Sequence, residues 1–128
     1  MSQSKSISMQ VDDILMAYCK DVREISKDEI KKQADETKKM LRQTSPKNRK
    51  KSRRGYAKSW DKKSNGDGGW IVYNRKNYQL THLLENGHVI KNGVGQYGRV
   101  KPIKHIAPAE EAAAMRLPLR IKARLRML

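Results

Sequence analysis

Residues 80–108 constrain the fold of this chain more than any other stretch. Within 29 residues they line up four signals in order. With Tyr78 just ahead of them, Leu80, Leu83 and Leu84 have the spacing of a short amphipathic helix. Gly87 follows, the residue that ends helices in a left-handed conformation. His88, Val89 and Ile90, the glycines at 93, 95 and 98, and Arg99 with Val100 then predict two strands joined by a glycine-rich hairpin. Ala107 and Pro108 open a further helix, because proline lacks an N–H that the first turn leaves unpaired anyway. Glu110 and Glu111 suit the positive end of its dipole, and the basic residues from Arg116 to Arg126 suit the negative end. Pro118 predicts a kink or a split within it.

Upstream, Val11, Ile14, Leu15, Tyr18, Val22, Ile25, Ile30, Ala34, Thr37 and Leu41 recur at mostly three- and four-residue steps, the stripe of a long amphipathic helix. Ser8 is its expected N-cap. Ser26 with Glu29 forms a capping box that predicts a break near residues 26–28, and Ser45-Pro46 ends the helix. Tyr56, Lys58 and Trp60 alternate with Ala57, Ser59 and Asp61, so a strand is expected from Tyr56. Asn65-Gly66-Asp67-Gly68-Gly69 is a turn, and Trp70-Ile71-Val72-Tyr73 reads as the partner strand. The expected class is α+β: a small, mainly antiparallel β-sheet packed by a long N-terminal helix and a C-terminal helix, with a protruding glycine-rich hairpin.

A chain of 128 residues fits a single domain, 1–128, with residues 1–8 expected as a flexible tail. There is no Phe, so aromatic packing falls to Trp60, Trp70 and the tyrosines. Cys19 is alone, which excludes an intrachain disulfide; its place in the apolar stripe predicts a packed thiol rather than a nucleophile. No apolar run approaches the roughly 20 residues of a membrane span, and the polar N-terminus carries no signal-peptide core. A cytoplasmic product without a membrane anchor is expected.

The formal net charge is +16, from 29 Lys and Arg against 13 Asp and Glu. Such an excess favours polyanions or acidic proteins as partners. Its densest part is residues 47–63, and the 47–54 segment, lacking apolar periodicity, is expected to be a mobile loop. Lys47, Arg49, Lys50, Lys51, Arg53 and Arg54, with Arg120, Lys122 and Arg124 near the C-terminus, are the candidate contacts to DNA or to a partner. No base-stacking signature accompanies them, so the DNA reading is non-specific phosphate contact.

His82, Glu85 and His88, with His105, have a spacing that invites a metal, but Gly87 turns the chain between the first two histidines, and the pattern is not that of a zinc hydrolase. These residues read as polar groups that cap or bridge backbone at corners, and neither metal nor cofactor is expected. A His-Asn-His nuclease would need a histidine inside the helix after His105, where the sequence runs Ala-Pro-Ala-Glu-Glu-Ala. The Gly-x-Gly-x-x-Gly of residues 93–98 follows no buried strand and opens no helix, so it is a hairpin rather than a phosphate cradle. No nucleophile and base lie in a catalytic arrangement, and no enzyme is expected.

Thr44-Ser45-Pro46, the run Gly55-Tyr56-Ala57-Lys58-Ser59-Trp60, the helix and corner from Tyr78 through Glu85 and Gly87, and His105-Ile106-Ala107-Pro108-Ala109 together resemble the small neck or tail-completion proteins of long-tailed bacteriophages, over about residues 44–114. The 47–54 loop departs from that pattern, being far more basic than the short Thr-Gly segment usual there. The resemblance implies a structural virion protein of the head–tail joint, assembled in the bacterial cytoplasm as a homo-oligomeric ring of six or twelve. It implies head-closure or connector proteins, tail-tube or tail-terminator proteins and packaged DNA as neighbours. Trp60, Trp70, Leu83, Leu84, Glu85, Gly87, His105 and Pro108 would then determine the fold, and none would be catalytic. A small basic protein that binds nucleic acid non-specifically is the alternative.

Overall fold

The computed structural model describes residues 6–47, 55–92 and 95–128. Helix α1 runs unbroken over Ile7–Thr44. Its N-cap is Ser6, whose hydroxyl accepts the Met9 N–H at 3.3 Å. The cap expected at Ser8 therefore falls two residues earlier, and Ser8 lies inside the first turn with its hydroxyl against that of Ser6. The break expected near residues 26–28 does not form. Lys32 reaches back one turn to Asp28 at 3.1 Å and to Glu29 at 3.7 Å, and such pairs favour continued helix. Ser45 ends α1 as expected, its N–H bonded to the Leu41 carbonyl at 2.9 Å with Pro46 next.

Strands β1 (Trp60–Ser64) and β2 (Trp70–Asn74) pair antiparallel, with Trp60 opposite Asn74 and Ser64 opposite Trp70. Asn65 closes the turn between them: its side-chain oxygen accepts the Asp67 and Gly69 N–H groups at 3.0 and 3.1 Å. Gly68 in that turn has φ 84°, and a Cβ there would stand 2.8 Å from the Lys27 side chain of α1. The strand expected from Tyr56 begins only at Trp60. Ala57–Ser59 form a 3₁₀ turn instead, which Ser59 locks by donating its hydroxyl to the Gly55 carbonyl. The turn buries Tyr56, Ala57, Ser59 and Trp60 together, which an alternating strand cannot do.

Helix α2 (Leu80–Asn86) ends at Gly87, where φ is positive at 72° as expected, while ψ at 172° is extended rather than left-handed helical. Strands β3 (His88–Asn92) and β4 (Gly95–Val100) form the glycine-bearing hairpin, with a register irregularity between Val89 and Lys91. Helix α3 (Ile106–Leu125) follows, continuous through Pro118, where the sequence predicts a kink or split. Beyond the proline, Arg120 pairs with Glu36 and Arg124 with Asp28 and Glu29, so the second half of α3 is held antiparallel along α1.

Among the described residues these are three α-helices and two antiparallel hairpins, an α+β arrangement with the helices packed on the β1–β2 sheet. The core is Leu41, Tyr56, Trp60, Leu84 and Ala109, flanked by Met40, Val72, Leu80 and Ile106. Of the other residues singled out in the sequence, Glu85 and His105 are buried and Trp70 is half-buried, whereas Leu83 is 40% exposed and stands outside the core.

Among the described residues, only the second half of α1 packs. Its buried positions are Ile25, Glu29, Gln33, Ala34 and Leu41. Ile7, Ile14, Leu15, Met16 and Tyr18 are each more than half exposed. Cys19 is exposed too, so the packed thiol expected from the stripe is overturned: among the described residues nothing is folded over its half of the stripe. Of the tail expected over residues 1–8, Ser6, Ile7 and Ser8 begin α1 and residues 1–5 lie outside the described residues.

Candidate functional site

Helix α2 places Glu85 one residue before its end, and the corner at Gly87 turns the chain so that the carboxylate faces the start of α3. Its oxygens accept the N–H groups of His105 at 2.7 Å, Ile106 at 2.9 Å and Ala107 at 3.3 Å. Pro108, the next residue, has no N–H. A helix start leaves four N–H groups without intrahelical partners, and here all four are accounted for by one carboxylate and one proline. The acid also faces the positive end of the helix dipole. Burial alone would raise the Glu85 pKa, but the three backbone bonds outweigh it and hold the carboxyl below its usual value.

His105 links this cap to the core. Its Nδ1 lies 2.7 Å from the Ile103 carbonyl, which can only accept, so Nδ1 carries the hydrogen. Nε2 is then an acceptor, and the Tyr56 hydroxyl donates to it at 2.7 Å. Burial, with the Glu85 charge adding to it, pushes the Tyr56 pKa well up, so the phenol stays protonated. The rings of Tyr56, His105 and Trp60 meet edge to face with centroids 5.6–6.3 Å apart. Trp60 Nε1–H donates to Ser45 Oγ at 2.7 Å, and the Asn74 side chain donates to the Tyr56 carbonyl at 2.9 Å.

Tyr56 and His105 have no exposed surface, and each polar atom of their side chains is paired. No substrate reaches this histidine. The constellation works as a clamp that ties the 3₁₀ turn, α2 and α3 to the end of α1. Tyr56→Phe leaves the buried Nε2 without a donor and is expected to cost about 1–2 kcal/mol; urea unfolding of the variant beside wild type measures it, and equal midpoints would show the bond to be dispensable. His82 is exposed on α2. Among the described residues no group of three His, Cys, Asp or Glu side chains is placed to hold a metal ion.

The basic residues divide by location. Lys47 is exposed, and Arg49, Lys50, Lys51, Arg53 and Arg54 lie outside the described residues. Arg120 and Arg124 spend their charge inside the chain, on Glu36 and on Asp28 and Glu29, while Lys122 is exposed. Lys32 and Arg124 together hold the Asp28 carboxyl below its ordinary value. Lys62, in the basic run, points back to α1: it pairs with Asp35 at 2.6 Å, lowering that acid's pKa, and lies 4.6 Å over the Trp70 ring. An apolar cleft of about 340 Å³ opens between α1, the β1–β2 sheet and α3, lined by Ile30, Leu41, Trp60, Trp70, Ile106 and Leu117. The uncovered half of α1 was legible as a stripe, but not as a surface.

A family model described as "Bacteriophage HK97-gp10, putative tail-component" matches residues 10–87, well over half of the chain. The match takes in most of α1, then β1, β2 and α2, and stops at the Gly87 corner. The resemblance read from the sequence begins later, near Thr44, and runs on to about Ala114; the family match instead includes the long helix and leaves out His105 to Pro108. No curated protein and no solved structure gives a match.

Proposed function

This chain belongs to the HK97-gp10-like family of phage tail components, and from that premise we propose that it is a non-enzymatic subunit of a ring at the joint between phage head and tail. The family match carries the reading, and it implies contacts with other virion proteins. The ring has six or twelve copies, lies between a head-closure or connector protein and the tail-tube or tail-terminator protein, and surrounds the path of the packaged DNA. Two features support such a place. The chain leaves much of α1 uncovered, as a subunit made for contacts does. Its net charge of +16 suits a channel through which a polyanion passes. The whole chain acts as one domain, with the basic 47–54 segment facing DNA, Lys122 facing a neighbouring subunit, and Arg120 and Arg124 serving first to hold α3 on α1.

The direct test is electron microscopy of particles made without this protein. Tailless heads beside free tails are expected; complete virions would overturn the proposal. The charge reading has its own test. Lys50, Lys51, Arg53 and Arg54 replaced by Gln leave up to four phosphates without a basic partner, so the slope of log affinity for duplex DNA against log salt flattens by about 0.9 for each phosphate no longer neutralised. If tail joining fails first while DNA affinity hardly moves, these residues grip an acidic neighbour instead. Assembly of particles is expected to suffer less than retention of packaged DNA; complete virions made without the protein, together with salt-dependent duplex binding by the free protein, would favour the simpler nucleic-acid-binding reading, which rests on charge alone.

A further inference from the structure

The first five turns of α1, from Ile7 to Glu24, form an arm. The stripe Ile7, Val11, Ile14, Leu15, Tyr18 and Val22 continues the face that is buried further along: Ile7 stands about five turns before Ile25, Val11 about five before Glu29, and Leu15 about five before Gln33. In the second half that face meets the β1–β2 sheet and α3; in the first half it meets solvent. The arm is also the acidic part of a basic chain. Asp12, Asp13, Asp21 and Glu24 stand against Lys20 and Arg23, a net −2 in a protein of net +16.

Helix α3 carries the complement on its outward side. Met115 and Leu119 are 71% and 64% exposed, and with Lys122 and Arg126 they repeat at four-, three- and four-residue steps along one face, with Arg116 beside them. From Arg116 to Arg126 there are five basic residues and no acid. Arg120 and Arg124 are used within the chain; among the described residues Arg116, Lys122 and Arg126 make no side-chain ion pair, and neither do Asp12, Asp21 and Glu24 of the arm. The lengths agree as well: Val11 to Val22 and Met115 to Arg126 both span about 17 Å of helix.

We infer that the arm of one copy seats on the outward face of α3 of a second copy, apolar stripe against Met115 and Leu119, with the arm's acids toward Arg116, Lys122 and Arg126. The inference rests on the ring reading above and gives that ring its contact. Two arms pairing with each other would bring net negative helices together, whereas arm on α3 brings opposite charges together. The contact joins different surfaces of successive copies, so it propagates head to tail and closes into a ring if the rotation allows.

Cys19, exposed on the arm, provides the test. The full chain is prepared with Met115→Cys or Leu119→Cys, each copy then carrying one thiol on the arm and one on α3. Mild oxidation is expected to give a ladder of disulfide-linked multimers, which collapses to dimers at most when Cys19→Ser is added. Wild type, with Cys19 alone, is expected to cross-link poorly; efficient Cys19–Cys19 dimers, or no ladder from either variant, would overturn the inference. A triple change of Arg116, Lys122 and Arg126 to Glu is expected to weaken self-association about tenfold or more at low salt, with Asp12, Asp21 and Glu24 changed to Lys restoring it; an unmoved melting curve confirms that the fold is intact, and unchanged association would overturn the charge pairing. Rings seen without a ladder would remove the arm contact and leave the ring reading standing. A ladder without a ring at the head–tail joint of particles would keep the contact and remove the neck placement.

Discussion

Trp60→Ala is expected to lower stability by about 3–5 kcal/mol, the range for emptying a large aromatic site in a core. Trp60 is 4% exposed and sits at the junction of α1, the 3₁₀ turn and β1. The chain has no Phe to share the load, and the cluster of Leu41, Tyr56, Trp60, Leu84 and Ala109 loses its largest member. Truncation also removes the donor to Ser45 Oγ, which is itself buried where α1 ends. Small domains hold about 5–15 kcal/mol in all, so the variant should melt on the order of 10–20 °C lower. Trp60→Phe separates the two contributions: it keeps most of the volume, loses the Ser45 bond, and should cost about 1–2 kcal/mol. Thermal unfolding followed by circular dichroism reads both, and a Trp60→Ala curve that overlays wild type would show that the core does not depend on this ring.

Local chemistry was legible where a residue type admits few backbone states. Asn65 to Gly69 closes the first hairpin, Gly87 ends α2 at positive φ, and Pro108 stands in the first turn of α3, as the sequence predicts. The misreadings arose where tertiary contacts decide. Tyr56 to Trp60 alternates as a strand would, yet Ser59 can hydrogen-bond back to Gly55, and the tighter turn buries four neighbouring side chains in place of every second one. Ser26 has the form of a cap, but Asp28 and Glu29 are tied forward to Lys32 and across to Arg124, so the helix runs through. Pro118 costs α3 one hydrogen bond, and the same ion pairs to α1 hold the helix beyond it. At the clamp, the sequence placed Glu85 and His105 at corners, which they occupy; that the acid of one corner caps the helix of the other, 20 residues on, is a long-range fact that spacing does not encode. Periodicity likewise shows that a helix has an apolar face without saying what covers it. Val11 and Ile25 look alike in sequence, and only the length of α3 and the sheet shows that the cover ends near Val22.

Glu85→Ala is expected to cost about 3 kcal/mol at neutral pH, because it strips the N–H groups of His105, Ile106 and Ala107 of their acceptor and takes a charge from the start of α3. Glu85→Gln tests the charge itself. It keeps the length and one accepting oxygen, but its NH₂ turns a donor toward donors, and a loss of about 2 kcal/mol is expected. The pH dependence follows from the direction of the Glu85 shift. Its folded pKa is held below the ordinary 4.5, so the folded state favours the charged form. That contribution is complete above the unfolded value and is lost as pH falls through the folded one. Wild-type stability should therefore decline below about pH 5, Glu85→Gln should decline less steeply, and the gap between them should narrow as the acid protonates. Asp28 and Asp35 titrate in the same direction through Lys32, Arg124 and Lys62, but both lie at the surface, where salt screens their ion pairs. Urea unfolding at about pH 7, 5 and 4 in high salt, where those pairs fade, isolates the cap. Parallel wild-type and Glu85→Gln curves across that range would mean that the charge of the carboxylate does not hold the start of α3.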